Sequence, residues 1–297
     1  MSVIGDQLGL TLDRIVLATD FTAVAERAAA YARGLAKRFA STLTLAHAVD
    51  LSLTARTEEE VAGVPLNEMR NTSAENQERL LCDMTAAGIR TNTRTMESHH
   101  PALAIVDYAK ELRADLIVTG THARHGFEKV ILGSFAEGII RHATCPVLTI
   151  GPKSKPAVSD NFSLQTVVFA TDFSSSTALQ AAVALSFAQD SVAKIYLCHV
   201  LDDPKMDICQ IANLELQFEE SLQGLIPHST YDWSTPERVV ETGEVAASIL
   251  DLATRVRADL IVLGAKHSGT WFTHLVQGTV DKVLFDAECP VLTVCAN

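Results

Sequence analysis

The residues of this 297-residue chain that read as chemistry begin with an aspartate at the end of an apolar run. In "RIVLATDFT", Arg14 to Thr22, Asp20 closes the run, and "TVVFATDFS", Thr166 to Ser174, repeats it with Asp172 in the same place. A carboxylate there can serve a ligand, and it can equally brace the turn or cap the next helix. Two glycine–hydroxyl pairs come next, Gly133-Ser134 and Gly278-Thr279, each downstream of a strand-like "DLIV" run that ends at Gly120 or Gly264. A helix that opens at such a pair offers unpaired N–H groups and a positive dipole end to a phosphate, and the strand-end glycine lets backbone approach a ligand closely. Ser134 with Glu137 three residues on also fits a capping box.

Other polar clusters carry less. His122 and His125 form an HxxH, and His99 and His100 stand together. Zinc wants three or four ligands and a supporting shell, and no carboxylate or cysteine completes either group at short range, so no metal ligand is assigned. Arg124, Lys129 and Arg141 are placed to screen phosphates, or else make a solvated face. Neither copy has a GxxxxGK[ST] loop, a GxSxG elbow or an HRD stretch, so no catalytic residue is assigned.

The elements that must hold these residues follow from the repeat. Asp20 and Asp172 are 152 positions apart (172 − 20), and the same offset carries Ala29, Ala32, Leu35 and Ala36 onto Ala181, Ala184, Phe187 and Ala188, and His47 onto His199. "ELRADLIVTG" and "RVRADLIVLG", and then "TCPVLTI" and "ECPVLTV", match at an offset of 144 (264 − 120), which puts an eight-residue deletion between His199 and Glu241. The chain is one unit written twice. Two domains are expected, 1–153 and 160–297, joined by the Pro-, Ser- and Lys-rich "GPKSKPAVSDN". Within each unit, buried-type strands alternate with helical faces such as Ala25, Ala28, Ala29, Ala32, Leu35, and a further helix is read over Ser134 to His142. That alternation predicts an α/β fold with a parallel sheet and right-handed crossovers, and ligands in such sheets bind outside the carboxyl ends of the strands. The last strands, "PVLTI" and "PVLTV", are apolar edges that need covering, and the two units are expected to meet through them.

Composition narrows the function. The chain is 47% hydrophobic and 20% charged, enough apolar matter for real cores. With 24 basic against 36 acidic residues, net −12, it is not built to grip nucleic acid or anionic membrane unaided, so any phosphate must be held locally. No apolar run reaches the 18 or so residues of a membrane span, and a cytoplasmic protein is expected. The six cysteines include no CxxC pair and read as reduced, small core residues.

Taken together, "ATDF" after the first strand, "HAV" and "HVL" in the second, "ADLIVTG", the loop leading to Gly-Ser, and "CPVLT" resemble the universal stress protein family in its tandem form, over essentially the full length of both copies. The resemblance implies two tandem open-sheet domains, each a five-stranded parallel sheet in the order 3-2-1-4-5 with helices on both faces. One branch of the family binds ATP through GxxG, nine residues, then Gly with Ser or Thr. Carried onto this chain, the resemblance implies Ala18, Asp20 and Val49 beside adenine and ribose, and Gly120, Ala123, Gly133, Ser134 and Phe135 around the phosphates. The second copy offers Ala170, Asp172, Leu201, Gly264, Gly278, Thr279 and Val280. Ala123 stands where the second glycine is expected, His267 stands there in the second copy, and one extra residue precedes Gly278, so the first copy is expected to bind more tightly. The implied role is regulatory ATP binding with Mg or Mn in a stress response. The alternatives are a degenerate scaffold working through protein contacts and a slow ATPase. Adenine nucleotide, protein partners and a second copy of the chain are the partners implied.

Overall fold

The structure, a computed structural model, describes residues 11–53, 66–121, 133–157, 162–202, 208–265 and 274–295. The first half runs β1 (Arg14–Ala18), α1 (Ala23–Phe39), β2 (Thr42–Asp50), α2 (Leu66–Ala86), β3 (Arg90–Ser98), α3 (Pro101–Glu111), β4 (Leu116–Gly120), α4 (Ser134–His142) and β5 (Val147–Ile150). The second repeats it as β6 (Thr166–Ala170), α5 (Thr177–Ser191), β7 (Lys194–Leu201), α6 (Ile208–Gln223), β8 (Glu237–Thr242), α7 (Val245–Val256), β9 (Leu260–Ala265), α8 (His274–Asp286) and β10 (Val291–Cys295). The strand order across one ten-stranded sheet is β3-β2-β1-β4-β5-β10-β9-β6-β7-β8, so each half reads 3-2-1-4-5 from its own edge. Among the described residues all pairings are parallel except one. Central strands such as β1 and β6 are buried on both faces, as their unbroken apolar runs require.

The exception is the seam. β5 and β10 pair antiparallel, with Leu148 opposite Leu292, and these are equivalent residues under the 144 offset (292 − 148), so an internal pseudo-twofold axis passes between them. The last strands therefore cover each other's edges, as their apolar character demanded. On one face a single core joins Leu17, Leu35 and Leu148 to Phe169, Leu185 and Leu292; on the other, Ile105 and Ile139 share a core with Ile249 and Val283. The connecting segment is bound down rather than loose. Arg27 donates to the carbonyls of Pro152 and Ser154, the Tyr31 hydroxyl donates to the Lys155 carbonyl, and the Lys155 N–H donates to Glu288 of the other half. Phe162 then packs on Gly34 in the middle of α1, where an added Cβ would come within 3.3 Å of its nitrogen.

The copies differ where the deletion was read: α2 has 21 residues and α6 has 16. Two of the six cysteines, Cys82 and Cys209, are exposed on these helices rather than in a core. The periodicity of these two helices is not that of a fully buried face, so their cysteines need not face inward.

Candidate functional site

Because the strands within each half are parallel, the ends of β1, β2 and β4 lie on one sheet edge, with Ala18 paired to Ala46 and Thr119. The chain after β1 makes a tight, strained turn. Phe21 has φ 60°, and its counterpart Phe173 has φ 54°, a left-handed conformation that costs a bulky residue roughly 1–2 kcal/mol. Three side chains hold it. The Thr19 hydroxyl accepts from the Phe21 N–H (3.1 Å), and Asp20 Oδ1 accepts from both the N–H (3.2 Å) and the hydroxyl (2.6 Å) of Thr22. The Phe21 ring rests against His47, 4.8 Å between centroids.

His47 locks this turn to β2. Its Nδ1–H donates to the Thr19 carbonyl at 2.8 Å, which leaves Nε2 to accept from the Ser73 hydroxyl at 3.1 Å. Burial lowers the pKa of His47 from the usual 6.5, against the opposing pull of the Thr19 bond and the Asp20 charge. In the second half, His199 donates to the Thr171 carbonyl at 2.8 Å and is flanked by Phe173 and Phe218. Asp20 and Asp172 therefore both do the loop-bracing work that a strand-end aspartate can do, Asp172 taking the Ser174 N–H at 2.9 Å, while both remain on the exposed rim of the edge. The helix cap that follows holds only in the first copy, where Thr22 accepts from the Ala25 N–H. In the second, α5 starts at Thr177 with Ser176 before it and no side-chain cap; the Ser174 hydroxyl pairs instead with that of Ser176 at 3.3 Å, and the Thr177 hydroxyl with that of Thr171 at 2.9 Å.

The strand-end glycines face protein. A Cβ on Gly120 would sit 3.0 Å from the backbone carbon and oxygen of Val24, and one on Gly264 would sit 2.3 Å from Nε2 of Gln180. Close approach is what they permit, but of the first helix of each half, α1 and α5, on the side where a side chain would point. Gly133 is the N-cap of α4 and makes no side-chain cap bond; Ser134 is the first helical residue, and Phe135 packs against the neighbouring core. The N-cap is Gly133 rather than the Ser134 of the expected capping box, and Glu137 pairs with Arg141 four residues on. Val49 is buried near the end of β2, three residues past the Ala46 that pairs with Ala18. Ala123 lies outside the described residues, as do His122, Arg124, His125, Lys129 and His267.

The second half departs from expectation at α8. The helix begins at His274, so Gly278 and Thr279 lie one turn inside it rather than at its opening. Glycine there meets nothing within 4 Å, so a helix passes through it at a modest propensity cost. Ala170, Asp172, Gly264, Thr279 and Val280 nevertheless line one cavity of about 200 Å³, whose apolar wall is Cys198, Val245, Ile249 and Leu263. Leu201 is not on that lining; it is buried in the β7–β8 pairing, while its neighbours Val200 and Asp202 reach the cavity.

The model of the universal stress protein family matches residues 11–151 and again 163–294. The chain belongs to the universal stress protein family. A universal stress protein of Methanocaldococcus jannaschii is 32% identical over 143 residues, 48% of this chain and 84% of that protein. A putative universal stress protein of Staphylococcus aureus is 33% identical over 152 residues, 50% of this chain and 89% of its own length. A universal stress protein from Archaeoglobus fulgidus shares the fold over nearly the whole tandem length, with a TM-score of 0.74 and 19% identity, covering 98% of this chain and 99% of that one. Within this universal stress protein, sequence reasoning missed the bracing role of His47 and His199, although the 152 offset had aligned them. It also missed Gln180 over Gly264, for which no periodicity gives a signal. Among the described residues, no helix is long and apolar enough to cross a membrane.

Proposed function

We propose that this tandem universal stress protein is a regulatory adenine-nucleotide-binding protein and that its first half is the tighter ATP site. The observation that carries the reading is the start of α4: Gly133 brings no side chain to the N-cap, so an anion can approach the positive end of the helix at the sheet edge that also bears Asp20. In the second half, the amides of Gly278 and Thr279 fall inside α8, where intrahelical carbonyls take them. Losing two such neutral hydrogen bonds, at roughly 0.5–1.5 kcal/mol each, weakens binding about fivefold to more than a hundredfold. Backbone amides that donate, with the Asp20 carboxylate at the rim that accepts, fit a phosphate-bearing nucleoside. Among the described residues no group of three or more His, Cys, Asp or Glu could hold a metal, so Mg or Mn would travel with the nucleotide's phosphates.

Nucleotide co-purifying with the full chain, released by denaturation and identified by mass spectrometry, supports binding. Calorimetric titration of ATP into Gly133→Asp and Gly278→Asp variants then assigns the sites, since Asp sets a negative charge against one site at a time. Loss of the tighter phase in Gly133→Asp is the expected result. Its loss only in Gly278→Asp reverses the assignment, and no binding in the unaltered chain favours the scaffold reading. That second reading has its own support: the absent side chains of Gly120 and Gly264 point at Val24 and Gln180, so these glycines have a structural reason to exist without any ligand.

A further inference from the structure

Four of the six cysteines pack at the sheet, and two of them converge on the seam. The antiparallel register of β5 and β10 runs Val291–Thr149, Leu292–Leu148, Thr293–Val147; Cys295 ends β10 and Cys145 precedes β5 by two residues, at the same end of that ladder. A disulfide requires the two Cα atoms to come within roughly 4.4–6.8 Å of each other. Both thiols do lie on one face, in the core that holds Ile140, Val147 and Val291. The Cys295 thiol is 3.3 Å from the carbonyl oxygen of Ile140, five residues before Cys145. The symmetric position gives an internal control: Cys289 is the equivalent of Cys145, but the residue equivalent to Cys295 is Gly151, where a Cβ would sit 2.3 Å from the Leu284 carbonyl oxygen. Only one of the two symmetric places carries a thiol pair.

We propose that Cys145 and Cys295 form a disulfide on exposure to a peroxide, tying the last strand of the first half to the last strand of the second. Cys145, half-buried, is the thiol a small peroxide reaches first. Its thiolate attacks one peroxide oxygen, the O–O bond breaks, and water leaves with the thiol proton, giving a sulfenic acid. Cys295 then loses its proton and attacks the Cys145 sulfur, and the hydroxyl leaves as a second water. Two thiols are oxidised to one disulfide and one peroxide is reduced to two waters. Burial raises the pKa of Cys145 to about 12 and that of Cys295 to about 11, with the Cys295 sulfur the next contributor at Cys145. The pair is therefore slow at neutral pH and answers sustained rather than brief exposure.

The test uses the full chain carrying Cys82→Ser and Cys209→Ser, which removes the exposed thiols and leaves four. After long incubation with hydrogen peroxide at about pH 9, where more thiolate is present, thiols are counted in denaturant and peptides are mapped by mass spectrometry without reduction. The expected result is a fall from four thiols to two, a peptide joining Cys145 to Cys295, Cys289 still reduced, and a melting temperature raised on the order of 2–8 °C that reductant reverses. Cys295→Ser, a near-isosteric change, should abolish the cross-link while leaving the reduced protein folded. A count that stays at four, cysteine oxidised to sulfinic acid without a cross-link, or a cross-link that involves Cys289 overturns the proposal.

Discussion

Replacing Gly120 or Gly264 by alanine separates two reasons for a glycine at a strand end. If the glycine serves only a ligand, alanine leaves stability alone and weakens ATP. The geometry says otherwise. At Gly120 the new methyl would stand 3.0 Å from the backbone carbon and oxygen and the Cγ1 of Val24, in the first turn of α1, so main chain must move. Overpacking of that kind costs typically 1–3 kcal/mol, and here it also displaces the helix that follows the strained Phe21 turn. At Gly264 the clash, 2.3–2.7 Å, is with the amide end of Gln180, a side chain that is almost fully buried. Its end can swing, but only by giving up the 2.8 Å bond from Nε2 to Ser176. Gly264→Ala should therefore destabilise, and Gly264→Ala with Gln180→Ala should recover part of that loss because the space is vacated. Gly120→Ala has no such single-residue rescue. Urea unfolding of the four proteins, with ATP titration on those that fold, measures both effects. A Gly120→Ala protein as stable as the parent but deficient in ATP binding refutes the reasoning.

Two further outcomes are expected. His47 is held below its usual pKa of 6.5, so the unfolded chain takes up its proton first: stability present above about pH 6.5 falls as the pH drops through that value toward the folded-state pKa, and His47→Gln should flatten this part of a pH series of denaturant midpoints. Arg38 and Asp190 pair across the two halves at side-chain exposures of 25% and 23%, so Asp190→Arg should cost on the order of 1 kcal/mol and the double swap Arg38→Asp with Asp190→Arg should restore it.

The duplication was legible from the constant offsets, and the alternation of strands and helices and the meeting of the last strands from apolar runs that burial enforces; the strand order came only from the family resemblance. The site was legible by position and less so by conformation. Asp20 could be placed at the end of β1, but nothing in "TDF" announces a left-handed phenylalanine, which survives only because Thr19, Asp20 and His47 hold it from three sides. The start of α8 was misplaced because glycine followed by a hydroxyl is a common opening, yet the helix takes its N-terminus from residues a turn earlier. The same local signal at Gly133 was sound. Gln180 and Cys295 were silent for a different reason: each acquires its meaning from a partner far along the chain, Gly264 in one case and Cys145 in the other.

The pseudo-twofold axis explains why this chain departs from strict symmetry at its seam. Between two identical subunits, a residue on the axis meets itself, and a charge there would meet its own sign. Arg38 and Asp190 are equivalent residues under the 152 offset (190 − 38), and they face each other, so an exact repeat would oppose two like charges. Covalent fusion of the copies frees each from its mirror. One axial position becomes an ion pair, and on the other face of the sheet one end of the seam carries Cys145 with Cys295 while the other keeps Cys289 with Gly151. The same freedom reaches the sheet edge, where α4 opens at Gly133 but α8 runs a turn past its equivalent. On the proposed reading, a tandem chain can keep one site for an anion and let the other drift while the shared sheet and its two continuous cores keep both halves folded.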